Sequence, residues 1–294
     1  MKSVILLANP KSGKGQARAY LEELVREFTL NGIATFPIVS DSALSASLEF
    51  VQALKTKPDA VIAIGGDGVV HLVIQELAQS LIPLYVVPCG TGNDFARTGG
   101  SLDLNVKRIV SRMLKTEPVW IDLGRTESTA GVRWFGQVLS TGFDSLVNER
   151  ANGLGLIKGQ IKYTIATLLE LPFFKPFSYS MKTDNGSREF PAMLVAVANG
   201  PSYGGGMLIC PSADRQDGLL EVMVLHPVNK LELLKVFPKV FKGDHVTHRA
   251  VEFIRVSRIS LASGAIAYAD GEKIGSLPID IEIFPKALRV WQTS

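Results

Sequence analysis

From Ser3 to Val87 the chain alternates short apolar runs with stretches whose apolar residues recur at helical spacing. Ser3 to Ala8 reads as a strand and Gln16 to Leu30 as a helix, with Ala19, Leu21, Leu24, Val25 and Phe28 on one face. Ile33 to Val39, Ala60 to Ile64 and Leu84 to Val87 read as further strands, and Ala43 to Leu54 and Val69 to Gln79 as helices. This rhythm closes into a parallel sheet with helices on both faces, because parallel neighbours need a crossover between them. Ligands of such a doubly wound α/β sheet gather at the carboxyl ends of its strands.

Three of those strand ends run into glycine-rich turns. NPKSGKG (Asn9 to Gly15) follows the first strand, GGDG (Gly65 to Gly68) the third and PCGTGNDFAR (Pro88 to Arg97) the fourth. Glycine lets backbone approach closely and helix-terminal amides attract anions, while Lys11 and Lys14 add charge. The first turn is not a Walker A loop, since Lys14 is followed by Gly15 and no G-x-x-x-x-G-K-[ST] spacing exists. Convergence of three such turns reads as a phosphate cradle. Thr91 is placed to donate to a phosphate oxygen, and Asp67, Asn93 and Asp94 bring further polar groups. Arg97 either clamps a phosphate or caps the local helix.

Near Val119 the rhythm changes and strands dominate: Val119 to Leu123, Val132 to Ser140, Phe177 to Thr183, Glu189 to Ala198, Leu219 to Leu225, and several after Val246. The DNG of Asp184 to Gly186 is a hairpin signal. Helical patterns interrupt at Leu156 to Leu171 and Lys230 to Phe241. The expected domains are therefore an α/β unit over residues 1–124 and a mainly antiparallel β unit over 125–294. The final stretch of the second is expected to return to the first. A chain of 294 residues is long for one core, in keeping with two.

Composition excludes several classes. With 46% hydrophobic and 20% charged residues the chain is not a disordered one. Its net charge of +3 suits weak attraction to anionic lipid or nucleotide but lacks the excess of a nucleic-acid binder. Cys89 and Cys210 each adjoin a proline and read as reduced, buried thiols of a cytoplasmic protein. The apolar start MKSVILLANP is too short for a signal peptide. Tyr163 to Phe177 is broken by Glu170 and Pro172, so membrane contact is expected to be peripheral. Leu154 to Phe177 combines lysines with an apolar face, as an interfacial segment does; packing on the second domain's sheet is the alternative. Oligomeric state is not readable.

Gly65-Gly66-Asp67-Gly68 together with Gly90-Thr91-Gly92-Asn93-Asp94-Phe95-Ala96-Arg97 resembles the diacylglycerol kinase catalytic-domain family, which includes bacterial soluble lipid kinases and sphingosine kinases. GGDG alone is shared with NAD kinases and phosphofructokinases, whereas G-T-x-N-D-F-A-R points to the lipid-kinase branch. The resemblance implies an NAD kinase/phosphofructokinase-like first domain that passes the γ-phosphate of Mg²⁺-ATP to a lipid alcohol such as diacylglycerol. It implies nucleotide contacts from Asn9, Lys11, Lys14, Ser40, Gly65, Gly66, Asp67, Gly68, Val69, Val70, His71, Thr91, Asn93 and Asp94. A carboxylate among phosphates is unfavourable alone but useful with Mg²⁺ between them, so Asp67 is expected to orient Mg²⁺-ATP or the acceptor hydroxyl.

Two later motifs match the same family. PSADRQDGLLEV (Pro211 to Val222) is similar to a segment holding a structural Mg²⁺, which implies Asp214, Asp217 and the Leu219 carbonyl as ligands; composition alone favours a solvated turn. In YADGEKI, Asp270-Gly271-Glu272 resembles the catalytic D-G-E, with Glu272 as the proton acceptor; without the resemblance it is a hairpin turn. Asp122 matches an acidic position used in a water and metal network. Where the family reads G-G-D-G-T-x-N-E, this chain carries Val69 and His71, and His71 is expected at the surface. These departures keep a non-catalytic, nucleotide-regulated lipid-binding protein open as an alternative. A soluble-substrate kinase of NAD kinase type is the other.

Overall fold

The computed structural model describes residues 1–292 apart from 41, 101, 154–165, 167–168 and 171–173. It divides into two compact units, Met1–Ile121 with Lys286–Ser294, and Asp122–Pro285.

The first unit runs β1 (Ser3–Ala8), α1 (Gln16–Leu30), β2 (Ala34–Val39), α2 (Ala43–Leu54), β3 (Ala60–Gly65), α3 (Asp67–Leu77), β4 (Leu84–Pro88), α4 (Asp94–Thr98) and α5 (Val106–Lys115). Its sheet has the order β2-β1-β3-β4 with every pair parallel. Residues of β1, β3 and β4 are buried almost throughout, as helices on both faces require. Ala17, Leu21, Leu24 and Phe28 form the buried face of α1, and Ala19 points to solvent instead of joining it. The Ser42 hydroxyl accepts the Ser45 N–H at the start of α2, and the Asn105 side chain accepts the Arg108 N–H at the start of α5. Val290 returns from the end of the chain to pair in parallel with Leu84.

The second unit is built of antiparallel strands: residues 122–128 of β5 (Val119–Ser128), then β6 (Gly131–Phe135), β7 (Val138–Gly142), β8 (Phe177–Thr183), β9 (Gly186–Ala192), β10 (Leu194–Ala198), β11 (Leu220–Leu225), β12 (Val251–Val256), β13 (Arg258–Ala262), β14 (Ile266–Ala269), β15 (Glu272–Ser276) and residues 279–285 of β16 (Ile279–Val290). Strands β8 and β9 form the hairpin announced by DNG, and β13 lies between β8 and the first residues of β16. A six-stranded sheet follows the order β12-β11-β10-β7-β14-β15. Tyr179, Val195, Val222, Ile259 and Ile281 belong to the core gathered from both sets of strands. On the six-stranded sheet's other face, Phe143 and Val147 of α6 (Phe143–Gly153) and Leu233 and Val240 of α7 (Lys230–Val240) pack with Ala196 and Met223.

Two expected strands are each split. Val132 to Ser140 breaks at Gly136 and Gln137 into β6 and β7, and Glu189 to Ala198 breaks at Met193 into β9 and β10 of different sheets. An unbroken apolar run passes through the second break, and Gly136-Gln137 interrupts the first; the bonds that fix both are tertiary. The Asp270 carboxylate collects the N–H groups of Gly136, Gln137 and Val138, while Met193 donates to the Leu225 carbonyl. The expected helix over Leu156 to Leu171 and the interfacial segment Leu154 to Phe177 lie largely outside the described residues. Among the described residues no helix is long and apolar enough to cross a membrane.

Candidate functional site

The three glycine turns of the first unit meet at the carboxyl ends of β1, β3 and β4. In the first, Gly13 (φ 59°), Lys14 (φ 56°) and Gly15 (φ 95°) all adopt the left-handed conformation. A Cβ on Gly13 would lie 2.9 Å from the Cys89 carbonyl oxygen. One on Gly90 would lie 2.4 Å from the Cα of Gly66, so the second and third turns touch through backbone and no side chain fits between them. Backbone bonds join all three: Asn9 N–H to the Ile64 carbonyl at 3.3 Å, and Cys89 N–H to the Gly65 carbonyl at 2.8 Å. Neither α1 nor α3 has a side-chain cap; the Gln16 N–H turns back to the Ser12 and Gly13 carbonyls and the Val69 N–H to the Gly66 carbonyl.

Asp67 opens α3, and its carboxylate accepts the Asn93 N–H at 2.8 Å. Asn93 is left-handed (φ 54°), and its side chain closes a ring on Gly90, accepting the N–H at 2.8 Å and donating to the carbonyl at 2.9 Å. The acidic residue thus ties the second turn to the third. Asn9, Lys11, Lys14, Gly68, Val69 and Thr91 lie on the same three turns, with Lys11, Lys14, Gly68 and Thr91 exposed. A Cβ on Gly65 would lie 2.6 Å from Val69 Cγ2, so valine methyls cover the position of the family's threonine. Ser40 lies beyond the end of β2, where its hydroxyl donates to the Ser42 carbonyl.

Val70, His71 and Asp94 are all buried. His71 is therefore not a surface histidine: it lies on the buried face of α3, its ring 3.3 Å from the Gln75 amide. Arg97 reaches the Gly92 carbonyl at 3.3 Å, which caps its own turn. Burial pushes the Cys89 thiol up to about 11 and that of Cys210 far above the usual range, so neither is a nucleophile at neutral pH.

In the second unit, Glu272 begins β15 as an exposed side chain directly after the left-handed residues Asp270 (φ 50°) and Gly271 (φ 87°). No described residue hydrogen-bonds to its carboxylate. Asp270 anchors this loop through bonds of 2.7, 3.0 and 3.1 Å from the backbone of residues 136–138. The fully buried Asn199 amide donates to the Gly136 and Asp122 carbonyls at 3.0 and 2.8 Å. Asp122 is buried too, and its carboxylate accepts the Gly218 N–H at 2.8 Å. Burial lowers the Arg215 guanidinium to about 10, with Asp214 and Asp270 pulling it back up. Sequence reading assigned no role to Asn199 or Arg215 and named Asp270 without its anchoring bonds. Only the D-G-E tripeptide carried a signal for any of them.

The residues expected to hold a structural cation do not fit one as they stand. One Asp217 oxygen accepts the Leu219 N–H at 2.9 Å and the other pairs with the Arg255 guanidinium, while Asp214 accepts the Gln216 N–H at 3.0 Å. The positive charge that Asp217 faces is an arginine. Among the described residues no group of three or more His, Cys, Asp or Glu could hold a metal ion.

Known proteins match this chain along nearly its whole length. The family described as Diacylglycerol kinase catalytic domain matches residues 3–126, and the YegS C-terminal NAD kinase beta sandwich-like domain matches residues 137–292. The diacylglycerol kinase of Mycobacterium tuberculosis (strain ATCC 25618 / H37Rv) is 39% identical over 98% of this chain and 94% of its own. That of Bacillus subtilis (strain 168) is 25% identical over 95% and 92%. A diacylglycerol kinase crystal structure from Bacillus anthracis str. Sterne has the same fold, with a TM-score of 0.74 at 19% identity over 99% of this chain and 97% of that one. With both halves matched in order, the chain belongs to the diacylglycerol kinase family.

Proposed function

We propose that this kinase transfers the γ-phosphate of ATP to the hydroxyl of a lipid alcohol, diacylglycerol first among them, giving a phosphatidate-like product. The observation that carries the reading is the contact of the three glycine turns, where Gly66 and Gly90 leave no room for a side chain. Phosphoryl transfer asks a protein chiefly for positioning and for charges around the phosphates. Residues 1–124 would bind the nucleotide, with backbone amides of the three turns on the phosphates, Lys11 and Lys14 adding charge, and Thr91 donating a hydrogen bond. Asp67 would hold the third turn through Asn93 and orient the nucleotide, with magnesium entering only as the nucleotide's own counter-ion. Residues 125–294 would take the lipid acceptor. Glu272 would accept the proton of the attacking hydroxyl; its exposure and its freedom from a described partner support that role. The setting that suits this activity is cytoplasmic, with visits to the inner membrane surface.

Labelled ATP, offered with diacylglycerol, phosphatidylglycerol or sphingosine in micelles and with NAD as control, tests the reading by thin-layer chromatography. Label is expected in a phosphatidate-like spot. Label in NAD alone would establish the soluble-substrate reading, and binding of ATP and lipid with no labelled product would establish a non-catalytic one.

A further inference from the structure

Helix α7 is apolar on two opposite sides. Leu233, Val236 and Val240 are buried, the first and last of them in the core beneath the helix. Leu231, Leu234, Pro238 and Phe241 follow one another at i, i+3, i+7 and i+10, a stripe about 80° wide on the far side at 3.6 residues per turn. Leu231 is 73% exposed, Leu234 41% and Phe241 44%, and Val246 in the next turn is 40% exposed. A helix on a soluble core needs one apolar face, and packing does not explain a second one turned to water. The Phe241 ring is steadied edge-on by Phe237, with centroids 6.2 Å apart.

Charge identifies the occupant. Lys230 flanks the stripe on one side and Lys235, Lys239 and Lys242 flank it on the other, all four exposed. From Lys230 to Arg249 there are five basic and two acidic side chains, a net +3 that equals the net charge of the entire chain. Of those two acids, Glu232 is engaged by His248 and Arg249. A second copy docked about a two-fold axis would set lysines against lysines. A nucleic acid would use the lysines but leave the leucines in water.

We propose that this face of α7 is a docking surface for an anionic lipid bilayer, its apolar stripe entering the headgroup boundary and its lysines meeting lipid phosphates. The inference deepens the lipid-kinase reading and rests on it for a membrane-borne acceptor. Co-sedimentation of the whole chain with phosphatidylcholine vesicles, with and without phosphatidylglycerol, tests it. The wild type is expected to bind only the anionic vesicles. Lys235→Gln with Lys239→Gln, and separately Leu231→Ser with Phe241→Ser, should each weaken that binding about tenfold or more. Phosphorylation of a short-chain soluble diacylglycerol should stay unchanged, because none of these exposed residues belongs to the site.

Wild type that ignores anionic vesicles, or variants that bind them as the wild type does, would overturn the proposal. So would variants that keep vesicle binding but turn a dimer into a monomer in sedimentation velocity, which would make the occupant a second copy. If the soluble acceptor is never phosphorylated, the kinase reading fails on its own, and vesicle binding still decides the docking surface.

Discussion

Asp67 has two roles that a pair of substitutions separates. Its carboxylate accepts the Asn93 N–H at 2.8 Å, a scaffold role that an amide oxygen can imitate, and it brings a negative charge that an amide cannot. Asp67→Asn should keep the melting temperature close to that of the wild type while lowering turnover. Asp67→Ala should lower both, because an N–H left without its acceptor costs about 1–3 kcal/mol. Equal turnover of Asp67→Asn and wild type, by coupled assay at saturating ATP, would reduce Asp67 to scaffold. Gly90→Ala is the sharper test of the cradle, since the added Cβ would lie 2.4 Å from backbone that cannot rotate away. ATP affinity by calorimetry should fall at least about tenfold, as any backbone shift misaims the amides. Glu272→Gln should leave that affinity intact and cut turnover by about 10²–10⁴. A near-normal rate in that variant would move the base elsewhere.

At the scale of elements, the turn before α5 carries a pH dependence of known sign. The Arg108 guanidinium, then the Asn105 N–H, hold the Asp103 carboxyl down at about 2. In the unfolded chain Asp103 takes its proton near the usual 3.8, so its stabilisation is present above that pH and is lost as pH falls toward 2. Asp103→Asn should flatten the fall of melting temperature across that window, and an unaltered slope would refute the assignment. Helices α1 and α2 were legible to the residue, because Gly15 and Ser42 close their starts and the apolar period is unbroken. The breaks at Gly136 and Met193 were not, since a lone Gly136-Gln137 step and an unbroken apolar run at Met193 do not specify a change of strand, and Asp270 fixes the first from more than a hundred residues away. The glycine turns were legible because only glycine tolerates their contacts. His71 was misread because helical spacing from the start of α3 carries it inward, and the Asp217–Arg255 pair joins positions no local pattern relates.

For the whole molecule, the ends of the chain share one unit, so the first unit is completed only by the last residues. Ala287, Leu288, Val290 and Trp291 are all buried there. The Gln79 N–H donates to the Ala287 carbonyl at 2.6 Å, and the Trp291 N–H donates to the Leu84 carbonyl at 3.2 Å. The Trp291 indole donates to the Thr116 carbonyl at 3.1 Å and stands 6.5 Å from the Tyr85 ring. Tyr85 and Leu84 belong to β4, whose carboxyl end feeds the third glycine turn, so loss of this tail loosens the strand that positions Gly90 and Asn93. Trp291→Ala removes a buried aromatic and its hydrogen bond, a change that costs about 3–5 kcal/mol in protein cores. A chain ending at Pro285 should lose more, with ATP binding weakened in calorimetry and the first unit melting early. Because the second unit lies wholly within Asp122–Pro285, its near-ultraviolet signal should persist in the truncated chain. A chain ending at Pro285 that binds ATP as tightly as the full chain would show the first unit to be complete without its returning tail.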